Sequence, residues 1–552
     1  MKVFTKILSF LLAAIIAAAA IIPCLAVENI EFLQYPDGAV TEFRDEILNR
    51  ISTGDDYLAN RGYDETSLYI SPYWTMRANG RDIPVYATAV YDWVLDRGVV
   101  QSFQYIFVDG NAELNIEMQF CRGAIKNAVI LPEKLNTKAT VNGDRISARI
   151  TSAGDYTVLI NDDSQEYAVT LFVRENRNED AEIAAYREKY GDENVAVYDS
   201  GIYELDSVPA DRDVLYFRRG SFILFNHKTD IRTDEDAQNA DSASVFSVYG
   251  KKSAVITGCG TFDFTRVDRR ERNLITVNYC TDTAVDGLIL LNPNSWTVTA
   301  YACENCTFRD ITVFGYRTNS DGINICGCSS ICVENSFCRN GDDCFSVKAT
   351  NADYECHDIS FENCIGWSNK ARCFGITGEV ERDIYNIHFS DCAVIYRNAV
   401  WDLDRTASLV IAVETGGCDV YNVVFENIEI HKDTGRPIYC MVYGEGLSDC
   451  QISGIVFRNI KINADEKIKI SSQRGIDFIG RICASIFRFL NKPLFKKMKL
   501  FGKLSEVFGK RFESTNSVSV LFENVTVNGS LLKRAGNRFF IKEGNFELSF
   551  LK

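Results

Sequence analysis

Three aspartates lie close together in the segment NSDGINICGCSSICVENSFCRNGDDC, residues 319–344. Asp321 stands alone, and Asp342 and Asp343 follow it 21 and 22 residues later. If the fold brings them together, mutual repulsion keeps one carboxyl protonated while another stays ionised. Glycoside hydrolysis requires such a pair: one carboxyl protonates the leaving oxygen and a carboxylate activates water. A single aspartate in this context is typical of a turn, but three at this spacing predict catalytic residues.

The segments around these aspartates repeat along the chain. Phrases such as CENCTFRDITVFG and CHDISFENCIGWS recur as far as VSVLFENVTVNG near residue 518. Phe308, Glu334, Phe361 and Phe389 mark successive copies, with steps of 26, 27 and 28 residues. A repeat of this length, built from strands and turns without helices, indicates a solenoid, which we interpret as a right-handed parallel β-helix.

Stacked coils would bring the three aspartates together. Consecutive coils of a β-helix lie about 4.8 Å apart, and a separation of 21 or 22 residues is close to one coil. Asp321 and the Asp342–Asp343 pair are therefore expected on the same face of neighbouring coils. Adjacent strand residues point to opposite sides, so Asp342 and Asp343 both face outward only at a bend or bulge. Gly341 is well placed for such a bend.

The segment ahead of the repeats has a different pattern. Runs such as Val99–Val108 and Glu166–Val173 alternate apolar and polar residues between Gly, Asn and Asp turns, which is typical of an antiparallel sandwich. We predict an all-β chain with an N-terminal β-sandwich-like domain and connector over residues 27–193. The right-handed parallel β-helix would then occupy residues 194–552, with a basic amphipathic insertion at 466–512.

The N-terminus has the pattern of a secretory signal peptide. Lys2 and Lys6 precede an apolar run, Ile7–Ile22, and a short exit to a small residue. Residues 1–26 are therefore expected to be removed after Ala26, which would make the protein secreted, extracellular or at the cell surface. An uncleaved membrane anchor is the alternative. No later stretch is long and apolar enough to span a bilayer.

Composition and charge limit the partners. The formal net charge is −16 over 552 residues, and because such a surface repels phosphate backbones, no nucleic-acid partner is expected. The stretch 467–511 differs, since it carries 12 Lys or Arg against 2 Asp or Glu. We interpret it either as a peripheral contact to an anionic membrane or cell wall or as a helical excursion packed on the solenoid. No nucleotide or phosphate motif is found, so we predict no cofactor, and we expect a monomer.

Sixteen of the 19 cysteines lie within residues 259–450. In a secreted protein this suggests disulfides, but their recurrence in similar local contexts fits a core ladder of small side chains equally well. The pairs Cys303-x-x-Cys306 and Cys326-x-Cys328 have the spacing of zinc ligands, yet no histidine lies near either pair in sequence. We therefore predict no metal site.

Two motifs carry a family resemblance. Residues 292–325, NPNSWTVTAYACENCTFRDITVFGYRTNSDGINI, followed by NGDDCFSVKA at 340–349, resemble the core of polygalacturonase-type hydrolases, glycoside hydrolase family 28. The resemblance implies an inverting glycosidase that cleaves O-glycosidic bonds in a polysaccharide. It also implies that Asp342 is the general acid and that Asp321 and Asp343 position and deprotonate the water. Asn319 would match the Asn that opens the first motif.

The chain departs from this family at two phrases. Where the family carries a catalytic-site His in Gly-His-Gly, this chain reads ARCFGITGE, with Arg372 nearest that position. Where the family grips the uronate carboxylate with Arg-Ile-Lys, it reads IAVETGG, with Glu414 about where the cation belongs. A carboxylate facing a galacturonate would be repulsive, which favours a neutral or differently charged glycan. Lys348 and Arg372 keep an acidic substrate open.

A second resemblance concerns the same features. A sandwich domain ahead of a β-helix, with three aspartates and neither the His nor the Arg-Ile-Lys phrase, is also similar to glycoside hydrolase family 49, the dextranase and isopullulanase group. The substrate therefore stays open between a pectic acid and a neutral glucan. Two other functions also stay open, namely a non-catalytic glycan-binding β-helix, or adhesin, and a calcium-dependent polysaccharide lyase.

The tryptophans and histidines are weaker candidates. Trp296 is predicted to pack in the fold. Trp367 and Trp401 follow coil strands, and we interpret them either as platforms for sugar rings or as core residues. The scattered histidines are interpreted as structural: His227, His357, His388 and His431.

Overall fold

The computed structural model describes residues 30–50, 66–92, 95–110, 113–162, 164–226, 244–267, 273–399, 405–444, 447, 449–472 and 515–551. The predicted signal peptide, His227, Trp401 and most of the basic stretch 466–512 lie outside the described residues. Among the helices that the structure describes, none has the length and apolar character needed to cross a membrane.

The chain divides into two compact units. Among the described residues, the first unit takes in 30–34, Ile70–Ala87 and Ser102–Asn178. The second takes in residues of Tyr35–Tyr69 and Thr88–Gln101 together with those from Glu179 onward. The boundary predicted between residues 193 and 194 stays a prediction.

Strands β1–β12 form two sheets with the orders β2-β5-β6-β12-β11-β8, in which β1 also pairs with β6, and β4-β3-β7-β10-β9. Their bounds are β1 Glu31–Phe32, β2 Leu68–Ile70, β3 Trp74–Ala78, β4 Arg81–Ile83, β5 Tyr86–Asp92, β6 Arg97–Val108, β7 Leu114–Phe120, β8 Ala128–Leu131, β9 Thr140–Asn142, β10 Arg145–Ile150, β11 Gly154–Ile160 and β12 Ser164–Glu175. Within the first unit, the indole N–H of Trp74 donates to the Tyr167 carbonyl at 2.9 Å, which joins the two sheets in a sandwich-like arrangement.

One α-helix, α1, spans Glu179–Tyr190 among the described residues, and short 3-10 helices span Asp45–Arg50, Glu133–Leu135 and Asp192–Asn194. Because its apolar positions do not follow one helical face, α1 buries little, and Ile183 is its buried residue. From Val195 onward the chain is built of short strands.

These strands wind into a right-handed parallel β-helix, which confirms the predicted fold class. Their bounds are β13 Val195–Tyr198, β14 Gly201–Leu205, β15 Val214–Phe217, β16 Ser221–Phe225, β17 Phe246–Tyr249, β18 Val255–Gly258, β19 Thr261–Asp263, β20 Ile275–Asn278, β21 Ala284–Asp286, β22 Ile289–Leu291, β23 Val298–Tyr301, β24 Glu304–Arg309, β25 Thr312–Phe314, β26 Ile323–Cys326, β27 Ser329–Glu334, β28 Phe337–Asn340, β29 Phe345–Ala349, β30 Cys356–Glu362, β31 Ile365–Ser368, β32 Phe374–Val380, β33 Ile384–Ser390, β34 Ala393–Arg397, β35 Leu409–Thr415, β36 Val420–Glu426, β37 Glu429–Asp433, β38 Ile438–Val442, β39 Gln451–Arg458, β40 Lys461–Ala464, β41 Ile468–Ser471, β42 Ser517–Glu523, β43 Thr526–Val527, β44 Ser530–Leu531, β45 Phe540–Glu543 and β46 Phe546–Leu551.

Successive coils contribute to three sheets. The first has the order β13-β15-β18-β21-β24-β27-β30-β33-β36-β39-β42-β46, and the second has the order β14-β16-β19-β22-β25-β28-β31-β34-β37-β40-β43-β44. The third has the order β17-β20-β23-β26-β29-β32-β35-β38-β41-β45. A typical coil therefore passes from the third sheet to the first, then to the second, and turns back into the third. The three aspartates lie in turns that lead into the third sheet.

The repeat phrases place like residues on top of one another in the core. Phe361, Phe389, Phe425 and Phe457 of the first sheet stack with ring centroids 4.7–4.9 Å apart. Burial of each such ring contributes about 2–3 kcal/mol. The coil spacing lies within the range of centroid separations of offset-stacked rings, so an aromatic position that recurs once per repeat forms a continuous ladder.

The recurring Asn residues occupy turns after strands of the first sheet. Asn335, Asn363, Asn427 and Asn459 all have φ between 49° and 54°, a left-handed conformation that Asn tolerates better than most residues. The Asn363 side-chain amide donates to Asn335 Oδ1 at 2.8 Å, which links one coil to the next. The recurring Asn residues therefore serve both as left-handed turn residues and as a side-chain ladder between coils.

The described cysteines are free thiols in this structure. Most are buried and point into the stack of coils, where Cys364 and Cys392 each lie near backbone carbonyls of the preceding coil at 3.7 Å. The sequence left open disulfides or a core ladder of small side chains, and this arrangement agrees with the ladder.

Candidate active site

Strands β26 and β29 bring the aspartates together. They pair in parallel with Ile323 opposite Phe345, and the Gly322 N–H donates to the Asp343 carbonyl at 2.8 Å. Asp321 and Asp343 therefore hold the same position in consecutive coils. One carboxylate oxygen from each of Asp321, Asp342 and Asp343 lies within 4.8 Å of the others.

Two turns are clamped together beneath these carboxyl groups. The Asn340 side-chain amide donates to the carbonyls of Ser320 at 2.7 Å and Asp343 at 2.9 Å, and the Gly341 N–H donates to Ser320 Oγ at 3.0 Å. A Cβ atom at Gly341 would lie 2.6 Å from the Arg317 carbonyl oxygen. Glycine at 341 is therefore required by close packing between coils, and the bend that follows directs both Asp342 and Asp343 to the site.

Burial and crowding change the acidity of the aspartates. Burial raises the pKa of Asp342 to about 6, with repulsion from Asp343 added and the nearby cations opposing. Burial also raises the pKa of Asp321 well above its usual value, although the Lys348 ammonium opposes this shift. The group therefore retains a proton at a pH where an exposed aspartate would have lost it.

Lys348 supplies one of the cations. Its Nζ lies 3.4 Å from Asp321 Oδ2 and 3.7 Å from Glu379 Oε2, and it sits 4.0 Å from the centre of the Trp296 ring. Burial would lower the pKa of Lys348, but the carboxylates of Asp321 and Glu379 outweigh burial and raise it. Lys348 is therefore a buried ammonium that is already paired on two sides.

Arg372 supplies the second cation and links the aspartates to Glu414. One guanidinium nitrogen lies 3.3 Å from Asp343 Oδ2 and another lies 2.5 Å from Glu414 Oε1. The first nitrogen also donates to the Thr377 carbonyl at 2.8 Å. Although burial opposes it, the carboxylates of Asp343 and Glu414 raise the pKa of Arg372. The guanidinium is thus held rigidly beside Asp343.

Glu414 was predicted about where the family carries a substrate-binding cation, and a role in substrate binding stays a prediction, while the structure pairs its carboxylate with two guanidinium groups. Its Oε1 accepts from Arg372 and its Oε2 accepts from Arg405. Repulsion between Glu414 and an anionic substrate is therefore largely cancelled by two guanidinium groups. Arg405 and Glu379 were not predicted as site residues: Glu379 ends the phrase ARCFGITGE but lies at a register shift between β29 and β32, and Arg405 lies in the turn before β35.

Asn319 lies at the turn ahead of Asp321. Its backbone is left-handed, with φ at 61°, and its side chain is exposed. This conformation accounts for an Asn at the position, and a substrate-binding role for Asn319 stays a prediction.

The structure distinguishes the environments of Trp296 and Trp367. Trp296 is half-buried and lies against Lys348 at the site, whereas the sequence predicted only packing. Trp367 is fully buried, and the Arg339 guanidinium carbon lies 3.7 Å from its ring centre. Of the two interpretations of Trp367, the core residue is therefore correct and the platform for sugar rings is wrong. Period-2 patterning alone does not separate these two environments.

The aspartate cluster also has the composition of a cation site. Asp321, Asp342 and Asp343 form the one group of this kind among the described residues whose ligand atoms are close enough together. Lys348 and Arg372 already supply positive charge beside Asp321 and Asp343. That arrangement suits proton transfer better than the binding of a hard cation, which prefers uncompensated oxygens.

Comparisons with known proteins agree with this geometry. Residues 263–480 match the family model of glycosyl hydrolases family 28. The chain is 24% identical over 174 residues to an exopolygalacturonase of Zea mays, covering 30% of this chain and 39% of that protein. It is 35% identical over 78 residues to a probable polygalacturonase of Vitis vinifera, covering 14% of this chain and 16% of that protein. The chain thus spans less than half the length of these relatives.

Among solved structures, Dex49A from Penicillium minioluteum has the same fold. The TM-score is 0.58 at 11% identity, and the superposition covers 94% of this chain and 98% of that one. These findings confirm the resemblance to polygalacturonase-like glycoside hydrolases, with features shared with Dex49A. The match over residues 263–480 agrees with the predicted glycosidase class, and the fold is the one that Dex49A has.

Proposed function

We propose that this chain is an inverting glycoside hydrolase that cleaves O-glycosidic bonds in a polysaccharide. The observation that carries the proposal is the convergence of Asp321, Asp342 and Asp343 within 4.8 Å, since three carboxyl groups at this distance share protons unequally. The family match over residues 263–480 supports the same reaction class.

Asp342 is assigned as the general acid. Its pKa of about 6 keeps a useful fraction protonated in mildly acidic solution, so that it can protonate the leaving oxygen. The Asp343 N–H donates to Asp342 Oδ1 at 2.9 Å, which holds the carboxyl in one orientation. A fixed orientation lowers the entropic cost of proton transfer.

Asp343 is assigned to deprotonate the attacking water, and Asp321, whose pKa is raised by burial, is assigned to position it. Asp343 Oδ1 is buried and accepts no hydrogen bond from the described residues, so it is an acceptor available to a water molecule. Two oxygens less than 4.8 Å apart can both accept from one water at ordinary hydrogen-bond lengths. Lys348 and Arg372 hold the two carboxylates in place and are assigned to positioning and to contacts with substrate.

The charge of the site favours a neutral glycan as substrate. Among the described residues, the cations of the site are each paired with a carboxylate: Lys348 with Asp321 and Glu379, Arg372 with Asp343 and Glu414, and Arg405 with Glu414. An anionic sugar would have to displace a carboxylate partner from these cations before it could pair with them. A neutral sugar meets neither cost.

A panel of polysaccharides tests the function. Reducing-end release is measured on dextran, pullulan, polygalacturonate and rhamnogalacturonan, with the Asp342→Asn protein as control. Release from one of them by the wild type alone supports the proposal, and a neutral substrate supports the proposed charge preference. Binding without release would favour an adhesin, and an unsaturated, ultraviolet-absorbing product would favour a lyase.

Secretion and a monomeric state are proposed from the sequence. The N-terminal pattern of residues 1–26 and the acidic composition support a secreted protein, and the basic stretch 467–511 supports contact with an anionic surface. N-terminal sequencing of the protein recovered from culture medium tests cleavage after Ala26.

A further inference from the structure

Four tyrosines form a surface cluster, the tyrosine platform, made of Tyr249, Tyr279, Tyr301 and Tyr354. Tyr249 is 67% exposed, Tyr279 is 41% exposed and Tyr354 is 36% exposed, while Tyr301 is half-buried. Neighbouring ring centroids lie 5.3–6.1 Å apart. Several large aromatic rings grouped on a surface commonly mark a binding site.

The platform is continuous with the aspartate site through the third sheet. Tyr301 at the end of β23 pairs with Cys326 of β26, and Cys326 pairs with Lys348 of β29. Lys348 in turn reaches Asp321. Tyr301 is therefore two coils, about 10 Å along the β-helix axis, from the residue that contacts the proposed catalytic group.

The loop after β29 fixes the platform from the same side. It carries Tyr354 onto Tyr301 and Tyr279, and its Asn351 side-chain amide donates to Tyr301 Oη at 2.9 Å. Gly327 makes room for it, because a Cβ there would lie 2.8 Å from Tyr354 Cβ. The strand that supplies Lys348 thus continues directly into the segment that completes the platform.

Ring orientation separates the platform from a structural ladder. His357, Tyr385 and Tyr421, on the first sheet, stack with interplanar angles of 6° and 1°, so their faces cover one another. The platform rings meet at 62–84°. In an edge-to-face pair only one ring has a face covered by the other, and Tyr249 remains 67% exposed, so ring surface stays open to solvent where the apolar face of a sugar can stack.

We propose that the tyrosine platform binds sugar rings of a polysaccharide chain that extends from the aspartate site toward the amino-terminal coils. The inference rests on the proposed function, since it assigns the far part of the same substrate. Tyr249, Tyr279 and Tyr301 come from successive coils, so the platform is about 10 Å long, enough for about two sugar rings. Uncharged rings at this place fit the neutral glycan proposed above.

Affinity electrophoresis tests the platform directly. Native gels containing dextran, pullulan, polygalacturonate or rhamnogalacturonan are run with the Asp342→Asn protein, which removes turnover. Adding Tyr249→Ala and Tyr279→Ala is expected to weaken retardation about tenfold in apparent affinity, equivalent to about 1.4 kcal/mol. The matched control adds Tyr385→Ala and Tyr421→Ala on the first sheet and is expected to leave retardation unchanged.

Kinetics give the second measurement. In the active protein, the Tyr249→Ala and Tyr279→Ala changes are expected to raise KM about tenfold more for the polysaccharide than for its shortest hydrolysed fragment. Tyr249→Ala alone, at the most exposed of these positions, provides a variant least able to disturb folding, and melting temperature checks each protein.

The outcomes separate this inference from the proposed function. If the wild type hydrolyses a polysaccharide and the platform variants bind and turn it over as the control does, the platform inference is overturned and the hydrolase stands. If no polysaccharide is hydrolysed but retardation depends on the tyrosines, the platform stands and the hydrolase does not. If no polysaccharide retards the protein, the platform inference is also overturned.

Discussion

Asp321 and Asp343 occupy the same position in consecutive coils, and a 2.8 Å hydrogen bond from the Gly322 N–H to the Asp343 carbonyl holds that register. Residues 22 apart in sequence therefore have carboxylate oxygens within 4.8 Å of each other. The backbone ladder fixes the register, and the Lys348 and Arg372 cations beside the two carboxyl groups offset their repulsion. The register of the parallel strands therefore keeps two acidic side chains close together.

The pH dependence of kcat/KM should report Asp342. Because its pKa is about 6 and the acid form is required, we expect kcat/KM to fall as pH rises through about 6. Arg372 lowers this pKa, so Arg372→Gln should move the falling limb to higher pH. Arg458→Gln, whose charge pairs with Glu426 and Glu523 on the first sheet, should not move it. If Arg372→Gln left the falling limb of kcat/KM in place or moved it to lower pH, the assignment of Asp342 as the general acid would be contradicted.

Asp342→Asn should stabilise the protein at neutral pH. The pKa of Asp342 is raised from an unfolded value near 3.8 to about 6, so the folded state binds more protons in this window. The contribution of Asp342 to the free energy of unfolding is therefore greatest below about pH 4, decreases as the pH rises to about 6, and stays at its lower value above that pH. Removing the carboxylate should raise the free energy of unfolding by on the order of 2 to 3 kcal/mol at pH 7 or above. Melting temperatures at pH 7.5 and pH 4 check this, and a lower value for the variant at both pH values would refute it.

Glu414→Gln should shift specificity toward anionic sugars. Glu414 pairs with Arg372 and Arg405 together, and without its charge each guanidinium loses one carboxylate partner whose place a uronate can take. Binding of oligogalacturonate, measured by calorimetry, should strengthen about tenfold, or about 1.4 kcal/mol. Glu426→Gln, which removes a carboxylate paired with Arg458, serves as control. Unchanged affinity for the anionic ligand would show that the pairing does not govern specificity.

Hydrolysis should invert the anomeric centre. The oxygens lie within 4.8 Å, closer than the about 6.5–9.5 Å usual for inverting pairs, but in the proposed assignment Asp321 and Asp343 act together on the water while Asp342 is the acid. Proton NMR of the first product formed should show the anomer opposite to the linkage cleaved. Retention of configuration would instead indicate a covalent intermediate on an aspartate.

Much of the fold could be predicted from the sequence because a β-helix repeats its pattern once per coil. Phe361 and Phe389 mark one coil step, and they stack 4.7 Å apart. The same reasoning placed Asp321 beside Asp342 and Asp343, since a separation near one coil becomes adjacency in space. Where loops are short, residues one repeat apart in sequence therefore lie next to each other in the structure.

The rest of the site depends on loops and bulges that have no period. Glu379 lies where the pairing of β29 with β32 shifts register, and Arg405 lies in the turn before β35, so neither could be placed by counting coils. Trp367 lies within β31 and is fully buried, whereas Trp296 lies in the turn ahead of β23 and contacts Lys348. The direction of a side chain at a turn is set by tertiary contacts that a single repeat does not encode.

The central claim is that the three stacked carboxyl groups perform the hydrolysis, and the kcat of Asp342→Asn tests it most directly. Asparagine is nearly the same size and can still accept the Asp343 N–H, so binding should be retained while the proton donor is lost. We expect kcat on the hydrolysed polysaccharide to fall by about 10²- to 10⁴-fold, with Asp358→Asn, at an exposed aspartate beside His357, unchanged. A kcat for Asp342→Asn within a few-fold of wild type would contradict the account.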